Sequence, residues 1–225
     1  MTQTPDVVFL FDVDNTLIDN DRVQAHLSEH LEQTYGTATR DRYWQIFEGL
    51  RSELGYADYL GALERYRIEA MHRPEVLRMS SWLVDYPFAD RLYPGALDAV
   101  KHVQQWGTVV ILSDGDAVFQ PRKVERSGLW HAFDNRVLIY IHKEEELEDV
   151  ERLYPADHYV LIDDKLRILA AVKKIWGERV TTVFPRQGHY ALDPNILDKY
   201  PPADIELAKI GDLPTCDLSA FLKKN

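Results

Sequence analysis

The stretch Val7-Val8-Phe9-Leu10-Phe11-Asp12-Val13-Asp14-Asn15-Thr16-Leu17 constrains this chain more than any other. Its five leading apolar residues, mostly β-branched or aromatic, predict a short strand buried on both faces, as in a parallel sheet. The run ends in two carboxylates two residues apart, then a hydroxyl. Open α/β sheets bind ligands beyond the carboxyl ends of their strands, so Asp12 and Asp14 stand where chemistry is expected. A buried carboxylate without a partner is costly, and a pair of them calls for a cation or a proton. A magnesium ion would meet that demand and would attract a phosphate as well.

The segment after this strand has a helical pattern. Val23, Leu27 and Leu31 recur every four residues up to Tyr35-Gly36, which predicts an amphipathic helix with a glycine stop. Tyr43, Phe47, Leu50 and Leu54 repeat the pattern and end at Gly55. Leu60, Leu63 and Ala70 predict a third helix, and Val76, Met79 and Leu83, after Pro74, a fourth. No strand is expected from about Asn20 to Arg91, so this block reads as an all-helical insertion. An α/β rhythm then resumes. Helices are expected over Ala96 to Trp106, Arg122 to Ser127, Glu144 to Leu153 and Ile168 to Ile175. Strands are expected over Thr108 to Leu112, Val137 to Ile141, Tyr159 to Ile162 and Val180 to Phe184. Such alternation implies right-handed crossovers and a Rossmann-like parallel sheet flanked by helices.

Composition narrows the partners. A net charge of -11 argues against nucleic acid and against an anionic membrane surface, since both select a basic face. The apolar runs are strand-sized, too short to span a bilayer. No basic stretch precedes Val7, so no secretory signal is expected and a cytoplasmic protein is the default. Cys216 is the only cysteine, which excludes an intrachain disulfide and a cysteine metal cluster.

Each of the first four strands delivers polar groups at its carboxyl end: Asp12 and Asp14, then Ser113, then Lys143, then Asp163 and Asp164. Taken singly these are ordinary features. Ser113 and Asp163-Asp164 suit helix caps, and Lys143 suits a surface position before an acidic helix. In a parallel sheet, however, those strand ends share one edge, and together they suit phosphoryl transfer. A carboxylate can attack phosphorus, a second can exchange protons with the leaving oxygen and with water, and a lysine and a hydroxyl can hold phosphoryl oxygens. Magnesium takes oxygen ligands and links carboxylate to phosphate. Lys123 competes with Lys143 for the lysine role. Lys143 is preferred because it follows a strand, whereas Lys123 falls inside a helix.

In these motifs the chain resembles the haloacid dehalogenase superfamily, in its phosphatase-type branch with a helical cap. Phe11 to Leu17 is similar to its first motif, a buried strand followed by DxDxT; Leu112-Ser113-Asp114-Gly115 to its second; Lys143 to its third; Leu161-Ile162-Asp163-Asp164 to its fourth, in a paired-acid form. The resemblance implies a core domain of residues 1–19 and 92–225 and a cap domain of residues 20–91. It implies Asp12 as nucleophile and Asp14 as general acid/base, with the Asp14 main-chain carbonyl on magnesium. Asp12, Asp163 and Asp164 would be side-chain metal ligands or their close supports. Thr16, Ser113 and Asp114 would meet the substrate, and Lys143 would offset the charge around Asp12 and the phosphoryl group. Dehalogenating members generally lack the acid at the position of Asp14, so the resemblance favours a small phosphorylated metabolite as substrate. A phosphomutase or phosphotransferase, a haloacid dehalogenase and a non-catalytic binding protein are the alternatives. Asn15 stands where glycine is commonest, and Asp114 where asparagine is frequent.

Other features carry less. His26 and His30, four apart on a helix, read as a solvated face rather than a metal pair. Glu144-Glu145-Glu146 reads as a solvated first helical turn. Arg22, Arg51 and Arg65 are candidates to meet a second anionic group on the substrate. The aromatic residues Tyr43, Trp44, Tyr56, Tyr59, Tyr66 and Trp82 read mainly as helix packing.

Overall fold

In the computed structural model, which describes residues 7–70, 77–216 and 218, strand β1 (Val7–Phe11) is buried along its whole length. Val7, Phe9 and Phe11 join one apolar cluster, and Val8 and Leu10 join another on the opposite face of the sheet. This two-sided burial is what an unbroken apolar run requires. Among the described residues, four α-helices come next: α1 (Asn20–Tyr35), α2 (Thr37–Leu54), α3 (Tyr59–Glu69) and α4 (Arg78–Asp85). Among the described residues between Asn20 and Arg91 there is no strand. Met79 and Leu83 are the buried positions of α4; Pro74 and Val76 of the expected fourth helix lie outside the described residues.

The chain then runs through α5 (Ala96–Val103), β2 (Thr108–Asp114), α6 (Phe119–Arg126), α7 (Leu129–Ala132) and β3 (Val137–Tyr140). It continues with α8 (Leu147–Leu153), β4 (His158–Ile162), α9 (Leu166–Trp176), β5 (Val180–Pro185), α10 (Gly188–Leu192), α11 (Pro194–Leu197) and β6 (Ile205–Leu207). The strands form one parallel sheet in the order β3-β2-β1-β4-β5-β6. The apolar cluster on one face continues without a break into the inserted helices, joining Phe9 and Phe11 to Leu27, Tyr43 and Phe47. Tyr59 of α3 also stacks at a tilt on Phe119 of α6, 5.0 Å between ring centroids. No described helix is long and apolar enough to cross a membrane.

The structure departs from the sequence-based expectation at several places, each with a local cause. Strand β2 runs on to Asp114, because Ser113 and Asp114 pair with Ile139 and Tyr140 of β3. The expected acidic helix is broken. Lys143–Glu145 form a 3-10 turn and the α-helix starts only at Leu147, which lets Lys143 turn inward. Glu144 is accordingly not solvated: its carboxylate pairs with Arg167 and is only 11% exposed. His26 and His30 are not a solvated face either, because α4 packs on them. His26 Nδ1 lies 2.6 Å from the Tyr86 hydroxyl, and His30 stacks on Trp82 at 4.8 Å. Strand β6, three residues long and preceded by Pro201-Pro202, has no period of its own and exists through its pairing with β5.

Asp204 ties β6 to β5. Its Oδ2 accepts from the Thr182 N–H (2.8 Å), the Thr182 hydroxyl (2.9 Å) and the Lys173 ammonium (2.9 Å). Partial burial raises its pKa, but these donors together outweigh that and hold it below the ordinary carboxylate value. A depressed folded-state pKa contributes stability above the unfolded value of about 4 and loses it as pH falls. Asp204→Ala is therefore expected to cost about 1–2 kcal/mol at pH 7. The difference from wild type should close as pH falls below about 4, as urea denaturation at both pH values would show.

Candidate active site

The chain lays down β1, β2 and β3 to one side and then returns to place β4 on the other side of β1. The carboxyl ends of β1 and β4 thus border the point where strand order reverses, the usual ligand crevice of an open α/β sheet. Asp12 follows β1 and Asp163-Asp164 follow β4, all three at most 2% exposed. One carboxylate oxygen from each lies within 4.8 Å of the others.

Lys143 sits among them. Its Nζ donates to Asp12 Oδ1 at 2.6 Å and to the Leu112 carbonyl at 3.2 Å, and lies 2.6 Å from Asp163 Oδ2 outside hydrogen-bond geometry. Burial alone would lower the Lys143 pKa; the charges of Asp12, Asp163 and Asp114 outweigh it and hold the ammonium above its ordinary range. Burial pushes the Asp163 carboxyl up to about 6 against the pull of Lys143, and Asp12 adds to the rise. Burial also raises Asp164 well above the ordinary carboxylate value, opposed by Lys165 and reinforced by Asp163 and Asp12.

One ammonium does not satisfy this cluster. Asp12 Oδ2 and both oxygens of Asp164 are buried without a hydrogen-bond partner. Orphaned buried carboxylate oxygens of this kind are costly. An all-oxygen donor set of this charge fits a hard divalent cation.

A second layer lies nearer the surface. Asp14, with a side chain 22% exposed, receives the Lys123 ammonium at 2.6 Å; the same ammonium donates to Asn20 Oδ1 at 3.1 Å. Asn15 takes the left-handed conformation, φ 59°, which asparagine tolerates better than most residues. Its side-chain oxygen accepts from the N–H groups of Asn20 and Asp21 (3.0 and 3.1 Å), so it also caps α1. Gly188 packs on it: a Cβ there would come within 2.5 Å of the Asn15 Cβ. The Thr16 hydroxyl is buried and accepts from the Asp164 N–H at 3.1 Å. Ser113 is buried and accepts from Gln120 Nε2 at 3.0 Å, while Asp114 Oδ1 accepts from the Lys143 N–H at 2.8 Å.

A cleft of about 370 Å³ opens above this layer, lined by Asp14, Asn20, Arg51, Tyr56, Asp114, Lys165 and Tyr190 among others. Of the residues expected from sequence, the structure brings Asp12, Lys143, Asp163 and Asp164 into one cluster, with Thr16 against Asp164 and Asp114 against Lys143. It sets Asp14 apart on Lys123. Lys143, preferred from sequence, is the lysine on Asp12, and its competitor Lys123 is also buried and holds a different carboxylate. Helix α6 begins at Phe119, earlier than the expected Arg122, and Phe119 and Lys123 occupy its buried face four residues apart. That spacing is the signal in the sequence for Lys123.

Gln187 carries no such signal. It is buried, its Nε2 donates to the carbonyls of Asn15 (3.1 Å) and Thr16 (2.8 Å), and its Oε1 accepts from the Ile210 N–H. It thereby fixes the loop that carries Asp14. Among the aromatic residues of the insertion, Tyr43, Tyr59 and Tyr66 are buried as packing residues, and Tyr56 lines the cleft.

Fold and site together define a Rossmann-like α/β protein with a buried acidic centre at its switch point and helices inserted after its first strand. A model of the haloacid dehalogenase-like hydrolases matches residues 7–175. Among solved structures, a protein of Burkholderia xenovorans LB400 assigned to the same hydrolases is 60% identical over 97% of this chain and 99% of that one, with a TM-score of 0.93. Two more distant structures share the fold. A haloacid dehalogenase-like family hydrolase from Xanthomonas campestris is 19% identical over 96% of this chain and 92% of that one, TM-score 0.65. The L-2-haloacid dehalogenase of Xanthobacter autotrophicus is 18% identical over 92% and 96%, TM-score 0.60. A search of curated proteins returned no match. The chain belongs to the haloacid dehalogenase-like hydrolase family.

Proposed function

We propose that this hydrolase is a magnesium-dependent phosphatase acting on a small phosphorylated metabolite, with residues 20–91 as a cap over a core of residues 1–19 and 92–225. The observation that supports this reading most is Asp14, a second carboxylate at the cleft, held by the buried ammonium of Lys123. A halide leaves without a proton, so a dehalogenase has no use for an acid there; an alkoxide leaving group has.

In this mechanism the Asp12 carboxylate attacks phosphorus, forming an aspartyl-phosphate as the ester P–O bond breaks. Asp14 gives its proton to the departing oxygen and later takes one from the water that hydrolyses the phospho-enzyme. Between those steps Asp14 is anionic, with the Lys123 ammonium beside it at 2.6 Å. Lys143, in contact with Asp12, offsets charge on the phosphoryl group. Ser113, steadied by Gln120, is the group for a phosphoryl oxygen, and Thr16 acts by holding Asp164 in place. Asp12, Asp163, Asp164 and the Asp14 carbonyl would hold magnesium, which supplies neutralising charge to the phosphoryl oxygens when bound.

The direct test is phosphate release from a panel of small esters with magnesium and with EDTA. Magnesium-dependent release is expected; chloride release from 2-chloropropionate with no phosphate from any ester would overturn the reading. Two further results are expected. Magnesium at 100 times its Kd should stabilise the protein by about 2.7 kcal/mol, a Tm rise of roughly 5–10 °C. Asp164→Asn should lose that rise. With p-nitrophenyl phosphate, whose leaving group needs no proton, Asp14→Asn should still give a burst of one equivalent of nitrophenol. Turnover after the burst should be slower by about 10²–10⁴-fold. A variant with unchanged steady-state turnover would remove Asp14 from the mechanism.

A further inference from the structure

Of the three arginines singled out in the helical insertion, Arg51 is the one that lines the cleft. Arg65 is taken by Glu53 at 3.0 Å, and Arg22 lies exposed on α1. The last turn of α2 is seated directly on the sheet edge. Gly55 closes it in the left-handed conformation, φ 80°, and a Cβ at that position would come within 2.6 Å of the His142 ring. One turn earlier, the Arg51 guanidinium lies over the Tyr190 ring, 5.4 Å from its centroid. The Lys165 ammonium lies 5.5 Å from the same centroid. Two cations, one from the insertion and one from the residue after Asp164, therefore meet on one ring.

Most other charges of the cleft are taken; Lys199, at its rim, lies over the Tyr200 ring, 5.5 Å from the centroid. Arg167 pairs with Glu144, His189 with Asp21 at 2.5 Å, and Asp14 with Lys123. Asp114 accepts from the Lys143 N–H. Among the described residues, Arg51 has only the carboxylate of Glu48 at 3.6 Å, beyond hydrogen-bond reach. Lys165 has no carboxylate within ion-pair distance among the described residues, although the buried carboxylates Asp164, Asp12 and Asp163 act on it through space. Arg51 is thus the guanidinium that lines the cleft without a hydrogen-bonded carboxylate among the described residues.

We infer that Arg51, flanked by Lys165 and oriented by Tyr190, is a second anion subsite, and that the substrate is a short phosphate monoester with a second acid group at its other end. The inference rests on the phosphatase reading above and extends it to a substrate class. The guanidinium fork suits a carboxylate or a second phosphate, each bound through two parallel hydrogen bonds. Arg51 belongs to the insertion and Lys165 to the sheet edge, so an anion held between them also draws the insertion onto the site, coupling recognition to closure.

The test uses matched ligands that differ only at the far end: ethyl phosphate against phosphoglycolate, and propyl phosphate against 3-phosphooxypropionate, with ethane-1,2-diyl bisphosphate as the second-phosphate arm. Calorimetry on Asp12→Asn with magnesium reads binding without turnover. At least one acid-bearing ester is expected to bind 10–100-fold more tightly than its neutral partner. Arg51→Met, which keeps the apolar stem against Tyr190, should reduce that ratio to below threefold. The carboxylate and bisphosphate arms show which second acid is preferred. Equal affinity within every pair, or a preference that survives in Arg51→Met, overturns the subsite. Phosphate release by the wild-type enzyme is scored separately. Release without acid preference leaves the phosphatase and removes the subsite. Arg51-dependent acid preference without release from any ester leaves the subsite and removes the phosphatase.

Discussion

Asp12→Asn is expected to abolish turnover, lowering kcat by on the order of 10⁴–10⁶-fold, because an amide cannot form the acyl-phosphate bond and no neighbouring group replaces it. The substitution keeps the size and shape of the side chain. It also removes one of three carboxylates that crowd within 4.8 Å, and Lys143 retains Asp163 at 2.6 Å. The variant should therefore stay folded, with a native circular dichroism spectrum, while phosphate release disappears. Release that persists at more than about a hundredth of the wild-type rate would mean that Asp12 is not the nucleophile. A loss of activity accompanied by loss of the native spectrum would leave the role of Asp12 to be read from phospho-enzyme labelling of the wild type.

The largest effect on stability is expected from Lys143→Met. Lys143 is 1% exposed and is the ammonium shared by Asp12 and Asp163, themselves at 2% and 0%. Removing it leaves two buried carboxylates facing each other with no ammonium in contact and Lys165 acting only through space. Breaking a buried ion pair in this way costs about 3–5 kcal/mol. Lys123→Met provides the comparison. Lys123 is as deeply buried, but its partner Asp14 is 22% exposed and can turn to water. Its loss is expected to cost only about 1–3 kcal/mol, mainly for the polar groups left unpaired. Urea denaturation of both variants in EDTA gives the order. Equal costs, or a larger cost for Lys123→Met, would show that exposure of the orphaned carboxylate does not set the penalty.

Much of this molecule is legible in its sequence. The unbroken apolar run Val7–Phe11 can be satisfied only by a strand covered on both faces, and the order of the sheet places it at the centre. Asp12, Asp163 and Asp164 are legible because each directly follows an apolar strand, so a local pattern places it at a known edge. Asn20 to Arg91 is legible as helical because amphipathic spacing repeats within single helices.

The features that escape such a reading depend on contacts between distant parts of the chain. Lys123 meets Asp14 across 109 residues and Gln187 meets Thr16 across 171, and no local period records either. The spacing from Phe119 puts Lys123 on the buried face of α6, but its partners are met only when α6 is set beneath Tyr59 and Asn20. Strand β6 is too short for a period and appears only because β5 offers it an edge. Arg51 has the same standing in sequence as Arg22 and Arg65. It reaches the cleft because Gly55 lets α2 end against His142. The parallel sheet, the inserted helices and the carboxylates at the strand ends are written in the order of residues, since they follow from local burial patterns and chain direction. Which ammonium answers each carboxylate, and which cation stays uncommitted, is settled only when the chain is folded. Pairing of buried charge is set by proximity in space, which chain order does not encode.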